Sequence, residues 1–271
     1  LKKNAARIIT IIAALLSLLW LFGFAWSIED FYNGKAEIIE KEPTENENKN
    51  EIQTAAKDLT VVALGDSLTR GTGDDSGMGY VGLVTGELRE RLNPGDIQVY
   101  NLGINGQTSQ ELLQQLGQQN IGRQIEEADV ILMTIGGNDL FQQGETLFDL
   151  NLDKIQVLRQ TFLANLEQIF TTIRKHNSQA TIFILGLYNP FIDLDDSNVT
   201  NTVVRGWNHA TELTAGQFEK IVFVPTFDLF QLSVNEYLYS DRFHPNHAGY
   251  QLISERLAPL INWEKEIHPN D

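Results

Sequence analysis

From residue 60 onward, short β-branched apolar runs alternate with longer segments whose apolar residues recur every three or four positions. Only a strand-and-helix repeat built on a parallel sheet buries both patterns at once. The runs predict five strands, at Thr60–Leu64, Gln98–Leu102, Val130–Ile135, Thr181–Leu187 and Ile221–Pro225. Their nearly continuous hydrophobicity is that of strands covered on both faces. The intervening spacing predicts helices at Gly79–Leu92, Ser109–Glu127, Lys154–His176 and Val199–Phe218, and a last one at His247–Leu260. In the third, Ile155, Leu158, Phe162, Leu166, Ile169 and Ile173 share one face. The expectation is an α/β fold of three layers, with a five-stranded parallel sheet and helices on both faces. The chain of 271 residues allows one such domain plus accessory segments.

The accessory segments lie at the amino end. Lys2, Lys3 and Arg7 precede an uncharged run of 19 residues, Ile8–Trp26. As a helix it spans roughly 28 Å, close to the ~30 Å hydrocarbon core of a bilayer. Residues 1–27 therefore read as an N-terminal transmembrane signal-anchor. With the basic flank inside and Glu29 and Asp30 following, the rest of the chain lies outside the cytoplasmic membrane. A cleaved signal peptide is the competing reading, since Ala25 and Ser27 imitate a small-x-small site; both readings export the domain. Residues 28–57, which include EKEPTENENKNE, have almost nothing to bury and read as an acidic flexible tether. Residues 58–263 form the expected catalytic domain, and 264–271 a short tail.

Charge and cysteine usage remove whole classes of function. The formal net charge of −16 opposes adsorption to nucleic acid. With no cysteine, thiolate catalysis, disulfides and zinc-thiolate sites are excluded. Gly71, Gly73 and Gly77 form neither a dinucleotide fingerprint nor a phosphate loop.

The first strand stops at Gly65, Asp66 and Ser67, which places a hydroxyl at the carboxyl end of a strand; a turn or helix cap would use the same residue types. Near the other end stands DRFHPNH, with Asp241 three residues before His244. A serine hydroxyl needs a base to take its proton, and the base needs a carboxylate to fix its tautomer. Of the five histidines, His176 ends a helix, His209 falls inside one and His268 lies in the tail, so His244 alone has a carboxylate placed to orient it. His244 and His247 are spaced like a metal pair but have no third ligand, so neither metal nor organic cofactor is expected.

Four separated segments, in order, resemble the SGNH hydrolase family, also called GDSL esterases and lipases. They are GDSL at Gly65–Leu68, NLGINGQT at Asn101–Thr108, GGND at Gly136–Asp139 and DRFH at Asp241–His244. The likeness extends over about Leu59–Trp263, and the anchor and tether are similar to those of its exported YpmR-like bacterial branch. The resemblance implies the flavodoxin-like SGNH fold, with Ser67 as nucleophile, His244 as base and Asp241 as its orienting acid. It implies an oxyanion hole made by the Ser67 and Gly103 N–H groups and the Asn138 side chain. Asp66, Asn101 and Asp139 are read as residues that hold loops together. The implied reaction is hydrolysis of a carboxylic ester or thioester, such as a lysophospholipid or short-chain ester, through an acyl-enzyme. Met78, Tyr80, Phe141, Tyr188 and Phe191 are candidates for the acyl pocket. The expected partners are a small acyl-ester or lipid substrate and the cytoplasmic membrane, reached through the N-terminal helix. Two alternatives stand beside this one: an O-acetyl deacetylase of a cell-wall or extracellular polysaccharide, and a tethered binding protein that has lost catalysis.

Overall fold

The computed structural model describes residues 58–92, 96–148, 150–193 and 197–262. The expected transmembrane helix, the acidic tether and the tail lie outside them. Among the described residues, no helix is long and apolar enough to cross a membrane.

The five expected strands are present as β1 (Leu59–Gly65), β2 (Ile97–Asn101), β3 (Val130–Thr134), β4 (Thr181–Leu185) and β5 (Ile221–Val224). All pair in parallel, in the order β2-β1-β3-β4-β5. This is the flavodoxin-like order, in which the chain reverses its direction of winding between β1 and β3 and opens a crevice at their carboxyl ends.

Period-two alternation divides the strand residues between two cores. Val62 and Leu64 of β1, with Ile131 and Met133 of β3, face one side, while Leu59, Val61 and Ala63 face the other with Val130 and Leu132. On the first side lie α3 (Ser109–Leu116), α4 (Gln119–Glu127), α7 (Leu152–His176) and α8 (Ser197–Ala215); on the second lie α2 (Gly79–Leu92) and α11 (His247–Leu257). The ring of Phe162 from α7 stacks on Trp207 from α8 with centroids 4.8 Å apart. Five short helices fill the loops: α1 (Ser67–Arg70), α5 (Gly137–Phe141), α6 (Glu145–Phe148), α9 (Phe227–Phe230) and α10 (Val234–Tyr237).

Many boundaries shift by one to three residues from the sequence expectation, and three of the differences have a visible cause. The segment Ser109–Glu127 is two helices rather than one, because the chain leaves helical geometry at Gln118, with φ −80° and ψ 132°. Strand β4 stops at Leu185 instead of Leu187, since the Asn208 side chain takes both the N–H and the carbonyl of Leu187, each at 2.7 Å. The last helix ends at Leu257 and tightens into a 3-10 turn over Ala258–Leu260, where Pro259 has no N–H to continue the α ladder.

Candidate active site

The serine is presented by a turn that only glycine permits. Gly65 has φ +126°, and a Cβ there would sit 1.8 Å from the Thr134 carbonyl oxygen on the adjacent strand. The chain turns sharply after β1, and Asp66 caps α1 by accepting the Leu68 N–H at 3.0 Å. Ser67 is then the first helical residue, and its own N–H has no carbonyl one turn earlier to pair with.

Beneath the serine lies a buried polar network. The Thr134 hydroxyl donates to Asp66 Oδ1 at 2.7 Å and also meets Thr69 Oγ1 at 2.7 Å. The Thr69 hydroxyl in turn lies 3.0 Å from the Tyr80 phenol. Burial pushes the Asp66 pKa up to about 6, although the hydrogen bonds from Thr134 and the Leu68 N–H work against it. Burial likewise raises the Tyr80 phenol above its ordinary value. No sequence signal separated Thr134 from an ordinary β-branched strand residue.

The histidine arrives on the loop after α10, which is closed by an antiparallel bridge between Leu238 and Pro245. In this loop Arg242 takes the left-handed conformation, with φ +55°. Asp241 Oδ1 accepts the backbone N–H groups of Phe243 (2.9 Å) and His244 (3.0 Å). Asp241 Oδ2 lies 2.7 Å from His244 Nδ1. Burial opposes the charge of Asp241, but the bonds from the His244 side chain and the two N–H groups outweigh it and hold its pKa below the usual carboxylate value. At the other end of the ring, His244 Nε2 is 2.8 Å from Ser67 Oγ. Hydroxyl, imidazole and carboxylate therefore form one continuous chain, an arrangement that lets the imidazole take the serine proton and the carboxylate stabilise the resulting cation.

The two remaining positions singled out from sequence sit beside it in different states. Asn138, on α5, donates one side-chain N–H to the Gln107 carbonyl at 2.9 Å, which fixes the amide and leaves its second N–H for another acceptor. Gly103 is buried, and a Cβ there would lie 2.6 Å from the Arg70 nitrogen, so its backbone packs directly on the α1 end. Its N–H is engaged by Asn101 Oδ1 at 3.1 Å.

The loop-holding residues bridge separate segments. Asn101 donates to the Thr69 carbonyl at 2.7 Å. Asp139 accepts from the Ser109 N–H (2.9 Å) and hydroxyl (2.5 Å), tying α5 to the start of α3.

An apolar pocket opens next to Ser67, enclosing about 450 Å³ that includes open solvent. Its walls include Leu68, Phe141, Leu187, Tyr188 and Phe243. Phe141, Phe191 and Phe243 pack edge-on or tilted at 5.2–6.0 Å, and Phe243 also meets the His244 ring at 5.1 Å. Of the aromatic and aliphatic candidates from sequence, Phe141 and Tyr188 line the pocket and Phe191 braces it. Tyr80 belongs to the network below the serine, and Met78 is exposed to solvent. Among the described residues, no cluster of three or more His, Cys, Asp or Glu side chains could hold a metal ion.

The profile of the GDSL-like lipase/acylhydrolase family matches residues 63–252. The chain is 34% identical over 229 residues to the uncharacterized protein YpmR of Bacillus subtilis, spanning 82% of this chain and 89% of that one. It is 30% identical over 209 residues to the spore germination lipase LipC of Bacillus licheniformis, covering 73% and 94% respectively. Among solved structures, the lipase Lip_vut3 from a goat rumen metagenome superposes with a TM-score of 0.68 at 28% identity, covering 74% of this chain and 96% of its own.

Proposed function

Because the chain belongs to the GDSL-like lipase/acylhydrolase family and is a carboxylic-ester hydrolase, we propose that it works as a serine esterase or lipase through an acyl-enzyme formed on Ser67. The observation that carries this reading is the unbroken path from Ser67 Oγ through His244 to Asp241, at 2.8 and 2.7 Å, beside an apolar pocket. His244 Nε2 takes the hydroxyl proton as Oγ attacks the ester carbonyl. The tetrahedral oxyanion is met by the unpaired Ser67 N–H and the second N–H of Asn138. The Gly103 N–H joins them by sharing its hydrogen between the oxyanion and Asn101. His244 then hands its proton to the leaving alcohol, and a water activated by the same nitrogen releases the acid. Throughout, Asp241 holds Nδ1 as the donor and stabilises the imidazolium.

The pocket walled by Leu68, Phe141 and Phe243 is apolar, which suits the acyl half of an ester and favours acyl esters as substrates. The uncharged run Ile8–Trp26 and the acidic segment behind it support a site held outside the cytoplasmic membrane, within reach of lipid-derived esters. Surface protease treatment of intact cells tests that placement, since an external domain is digested and a cytoplasmic one is spared.

The chemistry is tested by labelling the full chain with a fluorophosphonate and by following p-nitrophenyl ester hydrolysis. Wild type is labelled and turns over. Ser67→Ala loses the label and about 10⁴- to 10⁶-fold in kcat. Folded wild-type protein that neither labels nor hydrolyses any ester overturns the reading and favours a binding protein.

A further inference from the structure

An ester has two halves, and the apolar pocket accounts for only one of them. Asn138 also lines a second depression, an open groove of about 1000 Å³ including solvent. One wall is the start of α3, with Gln110; another is the segment after α5, with Gln142 and Glu145; the third is α7, with Leu158, Thr161 and Asn165. The two depressions thus meet at the residue proposed to hold the carbonyl oxygen, and their chemistry is opposite.

The groove has hydrogen-bonding capacity to spare. Among the described residues, Gln110, Gln142 and Glu145 have no side-chain hydrogen-bond partner. Asn165 spends one N–H on the Ser109 hydroxyl at 2.9 Å and keeps its carbonyl oxygen. Carboxamides carry donors and acceptors side by side, which matches hydroxyl groups that do both. Leu158 gives an apolar patch among them, as the C–H face of a polyol requires. Among the described residues no lysine or arginine lines the groove, Glu145 and Asp139 lie in its walls, and the whole chain carries a formal net charge of −16. A phosphate-bearing alcohol would meet like charge with no cation to pair it.

We propose that this groove is the alcohol subsite and that it takes an uncharged polyol, so that acyl polyols are hydrolysed in preference to acyl esters of phosphorylated alcohols. The proposal rests on the serine-hydrolase reading above and narrows its substrate class.

The test compares kcat/KM of the full chain, in detergent, on esters sharing one octanoyl group: 1-octanoylglycerol, octanoyl glucose, octanoylglycerol 3-phosphate and p-nitrophenyl octanoate. The glycerol ester, the glucose ester or both exceed the phosphate ester by about tenfold or more, equivalent to one unscreened like-charge contact. Which of the two leads identifies the polyol as glycerol or sugar. Gln110→Ala lowers the ratio of polyol ester to p-nitrophenyl ester about two- to tenfold, the loss of one neutral hydrogen bond. Glu145→Lys raises the phosphate ester relative to the glycerol ester. Equal or faster turnover of the phosphate ester, or ratios unmoved in both variants, overturns the subsite. Loss of p-nitrophenyl octanoate hydrolysis in wild type removes instead the reading on which it rests.

Discussion

Replacing Asp66 with Asn separates what this buried carboxyl does for folding from what it does for the site. Its side chain accepts from Thr134 and from the Leu68 N–H, and the residue is only 3% exposed. Burial raises its pKa from 3.8 to about 6. In the unfolded chain the group ionises near 3.8, so between 3.8 and about 6 the folded chain keeps a proton that the unfolded chain has released. Stability contributed by this group is therefore present at low pH, falls as pH rises through that window and is flat above it. The full difference, about 6 minus 3.8, is about 2.2 pKa units or about 3 kcal/mol, of which about 1.4 kcal/mol is lost between pH 5 and pH 8. Asn keeps the acceptor oxygen and cannot ionise; any fixed cost of its amide N–H is the same at both pH values and cancels. Urea unfolding of both proteins at pH 5 and pH 8, followed by tryptophan fluorescence, should show the stability of Asp66→Asn relative to wild type rising by about 1.4 kcal/mol. A difference that stays constant across pH refutes the argument, because it means that Asp66 ionises alike in the folded and unfolded chains. The variant should also turn over more slowly, since the ionised carboxylate and protonated His244 attract one another.

Asp241→Asn preserves the loop but offers His244 Nδ1 an amide that can present the wrong partner, and kcat for p-nitrophenyl esters should fall by about 10⁴ with KM little changed. Asn138→Ala removes one oxyanion donor and should cost roughly 100- to 1000-fold in kcat, measured on the same esters, while circular dichroism stays that of wild type. Gly65→Ala drives a Cβ to 1.8 Å from the Thr134 carbonyl oxygen at φ +126°, and should lower unfolding stability by at least ~3 kcal/mol in a urea titration.

What the sequence displayed was what local chemistry determines. Strands such as Val130–Thr134 are legible because β-branched, unbroken apolar runs have few other uses, and Gly65-Asp66-Ser67 is legible because it interrupts one. The missed features are set by distant partners. Nothing near Leu187 announces that Asn208, 21 residues on, will take both its backbone groups and end β4 early. Tyr80 reads as a possible pocket residue, yet its phenol is drawn under the serine by Thr69. The polar groove is also invisible to a linear reading, because Gln110, Glu145 and Asn165 come together only when α3 and α7 pack on the same face of the sheet. By contrast the capping box at Thr108 and Glu111, which starts α3 next to the site, was available in the string TSQE.

The sheet order decides which parts of the site are rigid by construction. β1 and β3 are neighbours, with Gly65 paired opposite Thr134, so the serine turn and the Asn138 helix leave adjacent strand ends and are cross-linked at once by Asp66 and Thr134. The histidine has no such support, for its loop follows β5, and β4 and β3 lie between that edge and β1. It must cross the top of the sheet, and tertiary contacts alone carry it there. The Tyr188 hydroxyl, just beyond β4, donates to the Phe243 carbonyl. Tyr250 on α11 donates to the Thr72 carbonyl at 2.7 Å, and Gly73 packs so closely that a Cβ would lie 2.5 Å from the Pro245 oxygen and 3.0 Å from His244 Cβ. Gly73, in the loop after Ser67, thus serves as a seat for the histidine, and this gives a physical reason for a glycine at that position. Because a shift of about 1 Å in a catalytic group can cost on the order of 100-fold in rate, the seat matters to catalysis as much as the strands do, although none of its atoms reaches the ester.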